Sequence, residues 1–595
     1  MDVTKYLELK IAPLAIFDAL EERGERVRFN VPEGDPRSPS GYRAVTYREF
    51  AGEIRDAASF LGTLLGAEDR AAIFAPNRVE WASASLAIQA AGGVLVPVYP
   101  ANTAEQARYV LDHGDVKVVF VDTAPLLEKI FQIADSLPGL ARIALLGDEL
   151  DWRAVRATAE AKGLAVASEA SLAEKVVTWS EVRALGRAAD AKDPDSFEAT
   201  MRGVSLDQKG MMLYTSGTTG NPKGVPLTHR MVGSNGRDWL SVLHPLLKEN
   251  AIDVLWLPMS HIFGFGEMCL GNTLGFTTYL SDPVHCIAQM PKLRPDVFMS
   301  VPSHWEKLAE RALVETDLTA QKSALDAASG GNLSFALSGG AGLKKEVKEF
   351  FHRHGILIIE GYGLTECSPT LTMNQPTDFR FDTVGKPFPS VELKLADDGE
   401  ILAKGPNVFA GYHKDEAATR EVFDAEGWFK TGDVGRWTDD GFLQIIDRKK
   451  DILVTAGGKN VPPANVEMRF RDDPRFLHVV VYGEGKKFLV AGLWMNDALL
   501  AHELASLSTE ERAAKVQQLA QKKVEQVNEG LANYERIKSF VVMTQPLSVE
   551  TETLTSSFKV RRKKIYEAFR GDFEGLYERP NPAHAAAATA TEVKS

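Results

Sequence analysis

Cysteine is scarce: three of 595 residues, Cys269, Cys286 and Cys367. They are scattered, odd in number and without metal-ligand spacing, so no cysteine-built metal site is expected and a reducing, cytoplasmic compartment is. Long apolar runs are missing as well, and none approaches the roughly 20 residues that cross a bilayer. Peripheral contact with the inner face of a membrane stays open. The start, Met1-Asp2-Val3-Thr4-Lys5-Tyr6, has no basic stretch followed by an apolar core, so no signal peptide is expected. Positive charge is in deficit: 68 Lys and Arg against 81 Asp and Glu give a net charge of -13. A nucleic-acid partner would need a basic face and is not expected, while a local anion site remains allowed.

What is present reads as a globular protein, with 44% hydrophobic and 25% charged residues. The length is too great for one core, so two or more domains are expected. From about residue 70, short apolar runs (71–75, 94–98, 116–121, 143–146) alternate with amphipathic stretches (81–91, 104–112). This alternation predicts an α/β fold with mostly parallel sheets flanked by helices. Further strands are expected at 254–257, 297–301, 335–337 and 356–359, several ending in polar or glycine-rich segments. Open α/β sheets bind ligands beyond the carboxyl ends of their strands. Residues 147–200 are polar, alanine-rich and helix-like, and suggest no chemistry. Past residue 447 the pattern is smaller in scale, with strands at 478–482 and 488–493. A helix is expected from Ser508, with Glu511 completing a capping box, to about Lys538. The end of the chain, 581–595, has no pattern and is expected to be disordered.

The strongest motif is Tyr214-Thr215-Ser216-Gly217-Thr218-Thr219-Gly220-Asn221-Pro222-Lys223-Gly224, directly after the apolar Met211-Met212-Leu213. Its glycines let backbone N–H groups close on an anion, and its hydroxyls and ammonium add donors, so the loop suits a polyphosphate. It is not a Walker loop, because Gly224 and Val225 follow Lys223 where Ser or Thr would be needed. Ser338-Gly339-Gly340-Ala341 leaves a flat slot for a planar ring, though many tight turns look alike. Gly361-Tyr362-Gly363-Leu364-Thr365-Glu366 offers an aromatic face and, in Glu366, a hard oxygen ligand suited to Mg²⁺. Asp433, in Thr431-Gly432-Asp433, could take ribose hydroxyls or simply form a turn. Near the C-terminus lies Leu554-Thr555-Ser556-Ser557-Phe558-Lys559-Val560-Arg561-Arg562-Lys563-Lys564. A basic run of this kind is most often a solvated face.

Together, in this order, these segments resemble the adenylate-forming superfamily of acyl-CoA synthetases, amino-acid adenylation domains and luciferases, over about residues 45–570. The details look most like bacterial long-chain fatty acyl-CoA synthetases, through Ile446-Asp447-Arg448-Lys449-Lys450-Asp451, Gly457-Gly458-Lys459-Asn460-Val461 and the segment from Leu554 to Arg562. The resemblance implies an N-terminal adenylate- and acyl-binding region (1–449) and a small mobile α+β domain (450–580) hinged at Lys450. It implies residues 215–223 as the phosphate loop, with Thr215, Ser216, Gly217, Thr218, Thr219, Gly220 and Lys223 on ATP. Gly339, Gly340 and Tyr362 would flank adenine, Thr365 would contact the α-phosphate, and Glu366 with Thr215 would hold Mg²⁺. Asp433 and Arg448 would take the ribose, Lys559 would bridge carboxylate and α-phosphate, and Gly457 and Gly458 would line the CoA channel. His261, in Pro258-Met259-Ser260-His261, matches a carboxylate gate, with plain packing as its other reading.

The implied reaction joins a fatty acid, long-chain acids favoured, to AMP from ATP and then to CoA. Ile262 stands where an amino-acid-activating relative would need an acidic partner for the substrate amine, and a buried ammonium without one is costly. Two alternatives stay open. One is an acyl-AMP ligase that loads an acyl carrier protein, and the other is a non-catalytic nucleotide- or acyl-binding regulator.

Overall fold

The computed structural model describes residues 1–35, 39–215, 221–555 and 558–578. Among them the chain packs as two compact units: 1–394 with 402–431 and 437–444, and a second of 395–401, 432–436 and the chain from 445 onward. Four strands, Glu392–Leu395, Glu400–Lys404, Phe429–Trp437 and Leu443–Arg448, each contribute residues to both units.

The first unit is built on two large sheets. One has seven strands in the order Val176–Val177, Arg142–Leu145, Val116–Val121, Arg70–Phe74, Val94–Val98, Lys209–Thr215 and Lys223–Thr228. All neighbours are parallel except the last pair, an antiparallel hairpin. Val94–Val98 is buried at every position, as expected of a β-branched run covered by helices on both faces. The second sheet has nine strands, in the order Lys386–Pro387, Thr370–Met373, Ile358–Gly363, Phe335–Ser338, Val297–Ser300, Ile252–Leu255, Thr277–Leu280, Val27–Glu33 and Gly41–Thr46. Its centre is parallel and its ends are antiparallel. The predicted strands and helices of this region recur within a few residues of their expected limits.

Residues 147–200 have a packing role. Val176–Val177 closes one edge of the seven-stranded sheet. The helix Trp179–Asp190 lies along Tyr47–Gly62, where Arg183 and Arg187 reach Asp56 at 3.0 and 2.8 Å.

In the second unit, Leu489–Met495 pairs antiparallel with Phe476–Tyr482 and parallel with Ile537–Met543. The helix Thr509–Glu529 starts at the expected Ser508–Glu511 capping box but stops nine residues short of Lys538. Gly530 ends it, and the Asn528 side chain turns the chain into the next strand by bonding both the N–H and the C=O of Ile537, at 2.9 and 2.8 Å. A side chain that satisfies two backbone groups outside the helix competes with continuing it.

Candidate active site

The predicted site residues of the first unit gather at strand ends. Thr215 and Lys223 are opposite each other at the open end of the hairpin. Ser216, Gly217, Thr218, Thr219 and Gly220 lie outside the described residues. The Lys223 ammonium sits over the Tyr412 ring, 4.7 Å from its centroid. The Tyr412 hydroxyl donates to Glu366 Oε1 at 3.0 Å, and Phe409 N–H donates to the Glu366 carbonyl at 2.8 Å. A cation, an aromatic ring and a buried carboxylate are thus linked, from Lys223 through Tyr412 to Glu366. Tyr412 carried no signal in the sequence, because a lone Tyr after a single glycine, Gly411, looks like core.

Thr365 and Glu366 lie in the one-turn helix Thr365–Cys367, just past Ile358–Gly363. The glycine of Gly363 serves the chain itself: a Cβ there would lie 1.8 Å from the Pro369 carbonyl oxygen. Tyr362 is half-buried beside it. Gly339 follows the strand Phe335–Ser338 and donates to Ser300 O at 3.0 Å. A Cβ on Gly339 would meet the Phe263 ring at 2.9 Å, so part of the expected flat slot is filled by a protein ring. Gly340 is exposed, with a φ of 81°.

His261 is the N-cap of the helix Ile262–Leu274, and its Nδ1 accepts from Phe263 N–H at 3.1 Å. That bond leaves Nε2 as the protonated nitrogen of the neutral ring. His261 therefore has a definite structural task, whatever else its half-exposed ring does.

The second unit brings the other predicted residues together. Arg448 Nε lies 2.9 Å from Asp433 Oδ1, with Asp433 buried at 7% exposure. Lys559 is within electrostatic reach of both. Desolvation by the surrounding protein, then the Arg448 guanidinium, lower its ammonium below the ordinary lysine value, and Asp433 opposes them. The side chain itself stays exposed, so water offsets part of that desolvation. Its backbone is tied to Thr555: Thr555 N–H donates to Lys559 O at 2.8 Å, and Lys559 N–H to Thr555 Oγ1 at 3.0 Å.

The basic run after Lys559 is not a solvated face. Arg562, with 12% of its side chain exposed, forms a two-armed pair with Glu467, whose second arm is 2.9 Å long. Lys564 and Arg561 turn to Glu552, at 2.7 and 3.6 Å.

Lys450 is exposed in a turn. Its neighbour Lys449 is anchored instead, to Asp398, to Glu400 at 2.8 Å, and through its N–H to Gly432 O at 2.8 Å. Gly457 and Gly458 are exposed at the tip of the hairpin Leu453–Val454 / Asn460–Val461.

In an open α/β architecture the turns beyond the carboxyl ends of the strands are where ligands bind. Comparison with known proteins narrows this. The AMP-binding enzyme family model matches residues 19–413, and the model of the AMP-binding enzyme C-terminal domain matches 450–581. The chain belongs to the AMP-binding enzyme family. It is 32% identical to a long-chain-fatty-acid–CoA ligase of Mycobacterium bovis, over 90% of this chain and 92% of the relative. It is 28% identical to long-chain-fatty-acid–CoA ligase 5 of Rattus norvegicus, over 94% of this chain and 88% of the relative. Among solved structures, the adenylation domain of a carboxylate reductase from Mycobacterium chelonae shares the fold, with a TM-score of 0.78 at 22% identity, covering 96% of this chain and 91% of that one. A Mycobacterium tuberculosis fatty acyl CoA synthetase does so with a TM-score of 0.61 at 21% identity, covering 94% and 99%. No helix among the described residues is long and apolar enough to cross a membrane.

Proposed function

We propose that this protein is an AMP-forming long-chain fatty acid–CoA ligase. It activates a fatty acid with ATP to an acyl-adenylate, releasing pyrophosphate, and then transfers the acyl group to CoA. The observation that carries the reading is likeness to long-chain-fatty-acid–CoA ligases along 90% of the chain, in a protein that carries Glu366, Asp433 and Lys559 in that order.

The fatty carboxylate is ionised at neutral pH, its pKa lying near 4 to 5, so no general base is needed for its attack on the α-phosphorus. The obstacle is bringing an anion onto a polyanion, and cations and oriented N–H groups answer it. Lys223 and the phosphate loop hold the β- and γ-phosphates that leave together as pyrophosphate. Thr365 holds the α-phosphate, and the Lys559 ammonium lies between it and the entering carboxylate. Gly339, Gly340 and Tyr362 seat the adenine, and the Arg448–Asp433 pair fixes the ribose edge. His261 guards the carboxylate end of the acyl site.

Glu366 and Thr215 are hard oxygen donors that suit Mg²⁺. Two protein oxygens would leave the remaining positions of an octahedral ion to water and phosphate oxygens. When bound, Mg²⁺ supplies charge neutralisation at the phosphates.

The acyl-adenylate is a mixed anhydride that water would hydrolyse in an open site. For the second step the small domain turns about Lys450, Lys559 withdraws, and the Gly457-Gly458 hairpin becomes a wall of the CoA channel. The thiolate of CoA then attacks the acyl carbon and AMP leaves.

The test mixes protein, Mg-ATP, CoA and carboxylates from acetate to long-chain fatty acids, and reads thioesters by mass spectrometry. Acyl-CoA formed mainly from the longer acids is the expected result. Acyl-adenylate without thioester points instead to a carrier-protein acceptor, and no product of either kind to a non-catalytic binder.

A further inference from the structure

The helix that begins at His261 carries a feature the reaction above does not use. Phe263, Glu267 and Gly271 are spaced i, i+4, i+8 and form one row along Ile262–Leu274. At the upper end of the row the Phe263 ring packs on Gly339, beside the proposed nucleotide slot. At the lower end Gly271 faces Arg28, whose Nη2 would lie 2.7 Å from a Cβ at that position. Glu267 lies between them, roughly 6 Å deeper than Phe263 at 1.5 Å of rise per residue.

Glu267 is fully buried, at 0% exposure. Neither of its carboxyl oxygens has a hydrogen-bond partner among the described residues, and Asn272 Nδ2, on the same helix, has none either. Arg28 does not serve it. That guanidinium donates to Asn272 Oδ1 at 2.7 Å, to Met268 O at 3.1 Å and to Thr278 Oγ1. Thr278 in turn donates to Asp253 Oδ1 at 2.5 Å, so its hydroxyl bridges Arg28 to Asp253. Burial, then the nearby Asp253, push the Glu267 carboxyl well above the usual range, and Arg28 opposes them. A neutral carboxyl offers one O–H donor and a carbonyl acceptor. Leaving both unmet in an apolar interior is costly, and such groups persist where something else completes them.

We propose that Glu267 is a specificity-determining residue that hydrogen-bonds an oxygen substituent, a hydroxyl or an oxo group, on the acyl chain. The substrate class is then long-chain acids oxygenated part-way along the chain, with unsubstituted acids as poorer substrates. This rests on the ligase reading above, together with the placement of the acyl chain along the row that runs inward from Phe263.

The test compares kcat/KM for acyl-CoA formation from saturated acids and from hydroxy acids of equal length, with the hydroxyl moved along the chain. Wild type is expected to prefer the hydroxy acid at one or two adjacent positions. Glu267→Leu is expected to reduce that preference about 10-fold, the worth of one hydrogen bond, while keeping or improving activity on the saturated acid. Glu267→Gln, which still donates and accepts, is expected to retain most of it. A purely structural Glu267 would not give a preference that peaks at one chain position. Should Glu267→Leu fail to fold, the wild-type position scan and Glu267→Gln carry the test. A flat scan in wild type, or a ratio unchanged in the variants, overturns the proposal and leaves the ligase reading intact. Failure of wild type on every acid, saturated and hydroxylated alike, overturns the ligase reading and this proposal with it.

Discussion

Glu467→Leu is the perturbation whose size follows most directly from the structure. The Arg562 and Glu467 side chains are 12% and 16% exposed, and Glu467 Oε1 also accepts from Val481 N–H at 2.7 Å. Removing the carboxylate strands a buried guanidinium and a backbone donor together. Breaking a buried pair by deleting one partner costs about 3–5 kcal/mol. Asp451 and Tyr566 lie near enough to interact with Arg562, which favours the lower end, about 3 kcal/mol. At 2–4 °C per kcal/mol this is a fall of roughly 6–12 °C in the melting of the C-terminal unit. The double variant Glu467→Leu, Arg562→Met removes both desolvated charges, so it is expected to recover most of that loss. Because Arg562 is three residues from Lys559, adenylation should fall in the single variant and return in the double. The assay is a double-mutant cycle by urea unfolding and calorimetry, with ATP–pyrophosphate exchange as the activity readout. Additive losses in the double variant, or a single variant within 1 kcal/mol of wild type, would refute the reasoning.

Three further outcomes are expected from the proposed site. Lys559→Ala should lose most of the adenylation step yet still form thioester from preformed acyl-adenylate, and equal loss of both half-reactions would remove Lys559 from its role. The adenylation rate should fall with rising pH earlier than an ordinary lysine would dictate, because a lowered pKa means the ammonium is lost sooner. Lys559→Arg should abolish that alkaline limb, and an unchanged limb in pyrophosphate exchange would assign it to another group. Lys450→Pro fixes φ at the proposed hinge and should slow thioesterification more than adenylation, and normal rates for both would put the hinge elsewhere.

How much of this was legible beforehand depends on the range of the interaction. Val94–Val98 and Val116–Val121 were legible because a strand buried on both faces must be apolar at nearly every position, a local property of the chain. The Ser508–Glu511 cap was legible for the same reason, since donor and acceptor are three residues apart. The end of that helix was not, because Asn528 acts by bonding Ile537 across a turn that periodicity does not register.

The site divides along the same line. Glycine- and hydroxyl-rich segments announce themselves, since few folds need so many donors in one loop. The residues that hold those segments do not: Tyr412 reaches Glu366 across 46 positions, and Glu467 reaches Arg562 across 95. Arg562 shows the consequence. Read by composition it belongs to a basic, solvated run, yet its partner lies on a separate helix, Pro463–Glu467, and burial follows from that pairing. Glu267 is the extreme case. A Glu within an apolar helix reads as a surface residue until the structure closes around it, and only then do its two unmatched oxygens become a chemical question rather than a detail of composition.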